Sequence, residues 1–313
     1  MCGDLLAIEK FISNSLISIN NQNVQDIIFH LIRSGGKKVR PKLVCIICKM
    51  LNYLEEDRIK VAASVELIHN ATLLHDDVLD ESDARHGIKT ANNIWGNKLS
   101  ILVGDLLLTI AFRWLITCQN LRIVSILFEA SHSLVNGEIM QLTTNFNPDT
   151  VRQNYFDIIQ KKTASLFSAC CEAAAIISGA TGNEVDRLKK FGLNFGMAFQ
   201  IIDDMLDYIA TQDTSGKKQG KDFFDGKPTL PAIIAYERGN KEEREFWNKC
   251  FTLNEHNLSQ ALNYIKKHDA IRFSIEEAKL YVNVAQSEIS DFSNKDILID
   301  FLYKVLHVKD LTF

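Results

Sequence analysis

Two copies of one aspartate-rich pentad are the residues of this sequence best suited to chemistry. Residues 76–80 and 203–207 both read Asp-Asp-x-Leu-Asp, with valine or methionine in the middle. On a helix, the first and last aspartates of such a pentad lie one turn apart and project to the same side. Like charges at that spacing repel each other, so the pattern brings an isolated helix no stability.

Apolar residues flank both pentads, which predicts largely buried helices whose carboxylates face an internal cavity. Buried like charges need a cation. Oxygen ligands without a cysteine or histidine cluster suit Mg²⁺, which also keeps waters and binds phosphate oxygens. The alternative is a pair of solvated acidic patches, and the repetition of the pentad favours the metal site. The candidate ligands are Asp76, Asp80, Asp203 and Asp207.

Basic residues accompany both pentads, as a metal-bound diphosphate would require. Residues 35–41 read GGKKVRP and place Lys37 and Arg40 on a glycine-permitted turn entering a helix, where backbone amides favour an anion. An ordinary basic surface loop is the alternative for this segment. His69 lies two helical turns before the first pentad on the same face. The other candidate cations are Arg85, Lys161, Lys162, Lys217, Lys218, Lys221 and Lys227.

Helices must position these residues, because the chain has few residues that break helices. Its 313 residues include only 4 prolines and 15 glycines, and no strongly alternating strand pairs occur. We expect an all-α fold, one domain over residues 1–313 with helices around a common interior. Helical segments are predicted near 5–19, 59–80, 99–118, 121–142, 152–178, 185–209, 230–238, 258–268, 275–288 and 296–308. A long polar loop is predicted at 211–228.

Composition excludes several other classes of protein. A net charge of −4 argues against a nucleic-acid partner. The seven cysteines are odd in number and several lie among apolar residues, so we expect buried thiols in a reducing, cytoplasmic compartment. Cys45 and Cys48 have CxxC spacing but lack a second pair to complete a zinc site. Acidic residues interrupt the N-terminal apolar stretch, unlike a signal peptide, and 99–116 reads as a buried helix rather than a membrane span.

The chain resembles the trans-isoprenyl diphosphate (polyprenyl) synthases, most closely the long-chain, octaprenyl-type bacterial enzymes. The resemblance covers nearly the whole chain in the family's order. Its matching stretches are GGKKVRP (35–41), ELIHNATLLHDDVLDESDARHG (66–87), LVGDLLL (102–108), NGEIMQL (136–142), KTASLF (162–167), FQIIDDMLDY (199–208) and GKKQGKDFFDGKPTLP (216–231).

The resemblance implies a role for individual residues and a family architecture. Lys37, Arg40 and His69 match positions that hold isopentenyl diphosphate, and Asp76 and Asp80 match the motif that binds Mg²⁺ and the allylic diphosphate. Arg85 matches the arginine on that diphosphate. An all-α bundle around a deep central cavity, a homodimer and a product for quinone side chains such as ubiquinone are also implied. Further substrate or metal contacts are implied for Lys162, Thr163, Gln200, Asp203, Lys217 and Lys227.

Three positions bear on substrate affinity and product length. The family usually has a second arginine after Arg85, where this chain has His86; a shorter, mostly neutral histidine should weaken the contact with isopentenyl diphosphate. Ala71 and Thr72, five and four positions before Asp76, are small where a bulky aromatic residue would stop elongation. They predict a product longer than C20.

Three alternatives remain open on the sequence alone. His69, His75 and Asp76 also suit an HD-type metal phosphohydrolase, although that reading explains neither the second pentad nor the basic loops. A non-catalytic subunit that regulates an active partner finds support only in His86. Terpene cyclases have a helical fold but lack a second DDxxD pentad.

Overall fold

The structure, a computed structural model, describes residues 2–16, 19–33, 36–85, 87–145, 147, 152–209, 219–252 and 257–307. Nearly all of these residues are helical, so the all-α prediction is confirmed. The helices are α1 (Cys2–Leu16), α2 (Gln22–Arg33), α3 (Val39–Met50), α4 (Asp57–Leu79), α5 (Ala91–Trp95), α6 (Asn97–Thr117), α7 (Leu121–Thr144), α8 (Arg152–Ile159), α9 (Ser165–Ile177), α10 (Gly182–Ile209), α11 (Lys221–Phe224), α12 (Leu230–Arg238), α13 (Lys241–Thr252), α14 (Leu258–Lys267), α15 (Ala270–Glu288) and α16 (Asp296–Leu306).

Three local features differ from the predicted helices. The segment predicted as one helix over 152–178 is interrupted by a π-helical turn, Gln160–Ala164, between α8 and α9. A two-residue antiparallel pair, β1 (Ala84–Arg85) and β2 (Ile88–Lys89), closes over Gly87, whose positive φ of 78° suits a tight turn. Helices α2, α5 and α13 had no predicted counterpart, and α11 lies within the predicted loop.

The chain divides into two compact units. The first contains Met1–Ser131, Ala169–Lys189 and Phe292–Leu298. Its central element is α4, in which every residue from Val61 to Ile68 is buried, and which packs against α1, α3 and α6. Burial on all sides is what a helix with apolar residues around its whole circumference requires.

The second unit contains His132–Ser168, Lys190–Asp291 and Ile299–Phe313. Its core is aromatic: the rings of Phe167 and Phe195 lie 5.2 Å apart, and Phe195 also contacts Phe301. Helix α12 packs against α14 and α15. The prediction of a single domain is not tested by this division into units.

The cysteines and the most apolar helix bear on the expected compartment. The six cysteines whose side chains are described are free thiols, and burial raises the pKa of Cys45 to about 12 and of Cys48 to about 11. Among the described helices, α6 alone is long and apolar enough to cross a membrane by length and composition. The core helix of a soluble protein passes the same test, and α6 packs against α4.

Candidate active site

The first pentad occupies the last turn of α4, within the first unit. Asp76 and Asp80 are half-buried and lie on one accessible stripe of the helix together with His69 and Thr72. The C-terminal end of a helix carries a partial negative charge, so carboxylates there are unfavourable unless a cation compensates them. The spacing argument therefore holds for the positions of Asp76 and Asp80, and this end of the helix favours a cation beside them.

Asp77, the second aspartate of this pentad, has a different role from its neighbours. It is only 3% exposed and its Oδ1 accepts hydrogen bonds from Nε and Nη2 of Arg85, at 3.1 and 2.8 Å. The Asn92 amide donates to the Asp77 carbonyl and so holds the following loop. Asp77 thus fixes Arg85, on β1, beside the accessible carboxylates. The pentad spacing alone did not indicate this contact.

Arg40 and His69 meet in the same unit. Nη1 of Arg40 lies 3.2 Å from Nε2 of His69. Burial, together with the charges of Arg40 and Arg85, lowers the pKa of His69 well below its ordinary value, so the ring is neutral. Because a guanidinium only donates, Nε2 of His69 is the acceptor and its proton sits on Nδ1. Lys37 lies exposed just before α3, near the start of that helix.

His75 faces away from the pentad, which removes the geometric basis for a phosphohydrolase. Its Nε2 lies 3.1 Å from the Ile101 carbonyl and 3.5 Å from a carboxylate oxygen of Asp105, both on α6. Gly104 leaves room for the ring, since a Cβ there would lie 2.3 Å from Nε2. His75 therefore anchors α4 to α6 rather than pairing with Asp76 as a metal ligand.

The second pentad lies near the C-terminal end of α10, in the second unit, and again its second aspartate is the buried one. Asp203 is exposed and Asp207 half-buried, whereas Asp204 is buried. The Asp207 carboxylate accepts the backbone amides of Lys221 and Asp222 at 3.2 and 3.0 Å, and so begins α11. In both pentads the second aspartate is buried and held by other side chains, and the first is more accessible; Asp207, at the last position, is also held by the two backbone amides.

A cavity of about 120 Å³ adjoins the second pentad within this unit. Burial, followed by the charge of Asp207, raises the pKa of Asp222 to about 7, and Lys227 opposes this increase. Lys227 is itself buried and donates to Asp225 at 3.2 Å. The cavity is lined by Gln141, Thr144, Asn145, Tyr155, Ile158, Ile159, Lys162, Thr163, Gln200, Asp203, Asp204, Asp222, Lys227, Pro228 and Thr229.

Lys162 and Thr163 reach this cavity from the π-helical turn. Lys162 forms an ion pair with Glu138 and donates to Oε1 of Gln141 at 2.6 Å, so two residues of α7 fix its ammonium group. Turns of this kind occur often at functional sites, because the extra residue redirects side chains. Glu138 and Gln141 had no assigned role in the sequence, although they stand three apart on one helical face of NGEIMQL.

Two glycines pack closely against this turn. A Cβ at Gly137 would lie 2.6 Å from the backbone nitrogen of Lys162, and a Cβ at Gly196 would lie 2.5 Å from Cα of Ala164. Real Cβ atoms essentially never approach other atoms so closely, so only glycine permits α7 and α10 to contact the turn at these points.

The residues present fit a magnesium site of the kind that substrate completes. Within the described ranges, no group of three or more His, Cys, Asp or Glu side chains is arranged to hold a metal by itself. The first pentad instead offers the half-buried carboxylates of Asp76 and Asp80, and the second offers the exposed carboxylate of Asp203. Mg²⁺ typically binds one or two carboxylates while keeping waters and substrate phosphates. His86 and Lys217, two of the predicted contacts, lie outside the described residues.

Comparison with known proteins identifies the family of the chain. The family model described as polyprenyl synthetase matches residues 21–268. The octaprenyl diphosphate synthase of Haemophilus influenzae is 37% identical over 253 residues, covering 80% of this chain and 77% of that protein. The octaprenyl diphosphate synthase of Escherichia coli is 39% identical over 224 residues, covering 72% and 69%.

A solved structure shares the fold over nearly its full length. The crystal structure of a decaprenyl diphosphate synthase from Rhodobacter capsulatus superposes with a TM-score of 0.93 at 35% identity, covering 98% of this chain and 96% of that one. Since a family model matches most of the sequence and relatives above 30% identity span most of it, the chain belongs to the polyprenyl synthetase family.

Proposed function

We propose that this chain is a Mg²⁺-dependent long-chain trans-polyprenyl diphosphate synthase. It condenses isopentenyl diphosphate head to tail onto an allylic diphosphate such as farnesyl diphosphate, with an octaprenyl-type product that serves quinone side chains. The observation that carries the proposal is the shared pattern of the two pentads: in each, the first aspartate is at least partly exposed and the second is buried and tied to a neighbouring side chain.

The chemistry follows from the groups that this chain supplies. Bound Mg²⁺ would neutralise the charge that develops on the departing pyrophosphate. Arg85, Lys162 and Lys227 bind and orient the diphosphate groups, and each is itself held by a carboxylate, from Asp77, Glu138 and Asp225 respectively. Preorganised cations of this kind cost little reorganisation when the C–O bond ionises.

The steps that follow ionisation use polar groups of the protein and require no protein nucleophile. Once the C–O bond has ionised, the hydroxyl of Thr163 and the amide of Gln200 can stabilise the allylic cation without forming a bond to it. The double bond of isopentenyl diphosphate attacks the cation, and the pyrophosphate takes the proton that is lost. Lys37, Arg40 and His69 are the proposed contacts of isopentenyl diphosphate.

The test is turnover by the purified chain with isopentenyl and farnesyl diphosphates, with products identified by mass spectrometry. We expect a polyprenyl diphosphate in the presence of Mg²⁺ and none after chelation. Asp76→Ala and Asp203→Ala should each lower kcat by about 10³-fold or more. Asp57→Ala and Asp186→Ala, on α4 and α10 outside the pentads, are the matched controls. Near-normal turnover by both pentad variants would refute the assignment.

Product length is the finer part of the proposal. The relatives named above make different products by their names, octaprenyl in two cases and decaprenyl in the third. Ala71 and Thr72 lie five and four positions before Asp76 on α4; Ala71 is buried, and Thr72 is on the accessible stripe. Their small side chains support a long product, and the chain length itself is read from the mass of the product.

We also propose that the protein is a homodimer, with α7 at the interface. Leu121, Phe128, Val135 and Leu142 recur every seven residues on this helix and are 81, 58, 55 and 48% exposed. An apolar stripe with that period is what one helix presents to another, and a second copy would cover it. Phe128→Glu should give monomers by sedimentation, and Leu54→Glu, at another exposed leucine, should not.

The free, buried thiols support a cytoplasmic location for the enzyme.

A further inference from the structure

Four polar side chains around the cavity of the second unit form one hydrogen-bonded chain. We propose that two of them, Tyr155 and Asp204, are positioning residues that fix the orientation of Gln200 and Thr163 toward the reacting carbon of the allylic substrate. The inference deepens the proposed function and rests on it, because the reacting carbon is that of the allylic diphosphate.

Three consecutive hydrogen bonds of 2.7 Å connect the four side chains. The Thr163 hydroxyl donates to Oε1 of Gln200, and Nε2 of Gln200 donates to Oδ1 of Asp204. The Tyr155 hydroxyl donates to the other oxygen, Oδ2 of Asp204. The residues come from α8, the π-helical turn and α10, and all four line the same cavity.

The direction of donation is fixed at Asp204. A carboxylate oxygen facing an amide can only accept, so Gln200 must turn its NH₂ group toward Asp204 and its oxygen toward Thr163. Oδ1 also accepts from Gln200 in the neutral acid when the proton is on Oδ2. Turning the amide over would set its oxygen against the carboxylate oxygen.

The orientation of Gln200 in turn decides what Thr163 offers to the cavity. Because the Thr163 proton is used in the bond to Gln200, the lone pairs of Oγ1 remain for other partners. A cation is stabilised by the negative end of a dipole, and a fixed dipole needs no reorganisation as the charge develops. If Gln200 were turned over, Thr163 would accept from it and its O–H could point at the cation instead.

Tyr155 is required because Asp204 is buried. Tyr155 is 4% exposed and Asp204 is 5% exposed, so water cannot readily replace the phenol as a donor. A buried acceptor left without its partner costs free energy, and the carboxylate would rotate to recover a second donor. Since Gln200 bonds to the same carboxylate, that rotation would disturb the amide and, through it, Thr163.

The first experiment removes the phenol alone. Tyr155→Phe should lower kcat about tenfold, the effect of one lost hydrogen bond to a charged group, while KM for both diphosphates stays within about twofold. Tyr264→Phe, at a tyrosine whose hydroxyl also has a hydrogen bond but which does not line the cavity, is the matched control. Loss of activity through KM alone, or unchanged kcat in a folded protein, would overturn the role of Tyr155.

The second experiment exchanges donors and acceptors. In Asp204→Asn the single amide oxygen can accept from Gln200 or from Tyr155 but not from both, and in Gln200→Glu two carboxylates face each other, so each should lower kcat by about 10²-fold. The double variant restores every donor–acceptor pair and the total charge, because the introduced asparagine accepts from Tyr155 and donates to the introduced glutamate, which accepts from Thr163. We expect its kcat to recover at least about tenfold over either single variant.

The outcome of this exchange distinguishes failure of the positioning proposal from failure of the proposed function. If the double variant is no more active than the weaker single variant, while Tm recovers, orientation of the chain does not govern catalysis and the proposal is wrong. If the wild-type protein makes no product from isopentenyl and farnesyl diphosphates, the proposed function fails instead. The hydrogen-bond chain is then tested by Tm, which should fall in each single variant and recover in the double variant.

Discussion

Replacing Gly137 by alanine adds one methyl group against the backbone of the π-helical turn that carries Lys162 and Thr163. That methyl carbon would lie 2.6 Å from the Lys162 nitrogen, whereas ordinary contacts begin at 3.4 Å. The turn must therefore withdraw by roughly 0.8 Å, since the obstacle is backbone and cannot change rotamer. A misplacement near 1 Å of a group that positions substrate can cost about 10²-fold in rate.

The effect on stability should be small by comparison. Alanine gains about 1 kcal/mol over glycine in a helix interior, and overpacking costs about 1–3 kcal/mol. The two contributions leave a net loss of about 0–2 kcal/mol, a few degrees in Tm for a chain of this size. We therefore expect a folded protein with kcat about 10–100-fold lower, measured as pyrophosphate release with saturating substrates.

Controls make this prediction specific to the turn. Gly196→Ala meets the same turn through Ala164 and should behave alike. Gly182→Ala, at the start of α10, has no atom within 4 Å of the added carbon and should leave kcat unchanged. Full activity in Gly137→Ala with an unchanged Tm would show that the turn does not depend on this close approach, and the reasoning would be refuted.

Three further predictions concern other parts of the molecule. Asp77→Asn keeps the size of the side chain but removes the charge that holds Arg85, so KM for the allylic diphosphate should rise about tenfold in steady-state kinetics; an unchanged KM would contradict this role. A hydrogen bond from Lys267 lowers the pKa of Glu243 to about 2 from 4.5, so this carboxylate stabilises the folded protein above that range and ceases to as the pH falls from about 4.5 to about 2. The difference in Tm between wild type and Glu243→Gln should shrink over that interval, and a constant difference would exclude the linkage. Ala71→Phe should shorten the product seen by mass spectrometry, and an unchanged length would remove Ala71 from the path of the growing chain.

Helical spacing predicted the accessible carboxylates because both partners of each pair lie on one helix. Asp76 with Asp80, and Asp203 with Asp207, need only the one-turn repeat to share a side. Helical spacing could not predict the contacts of the second aspartate in each pentad. Asp77 binds an arginine on β1, and Asp204 binds a tyrosine on α8, and neither separation along the chain is fixed by helical geometry.

The π-helical turn was equally hidden from the sequence. Apolar residues continue on both sides of residues 160–164, so the pattern reads as one helix over 152–178. One extra residue offsets the later apolar positions by one place, and the nearly continuous apolar and small residues of 164–177 hide that offset. Two glycines on other helices, Gly137 and Gly196, leave room for the turn, and their importance becomes visible only when α7 and α10 are in place. Helix α2 was missed although its apolar residues recur on one face with a clear helical period.

The π-helical turn also bears on how the sequence can evolve. Deleting one of its residues would leave the segment from Arg152 to Ile177 helical. The segment would then form one uninterrupted α-helix with regular backbone hydrogen bonds. Selection for foldability alone would thus tend to erase the irregularity. If the turn persists among related sequences, selection for catalytic activity would explain it. Variants that lose the extra residue should be more stable but have little activity.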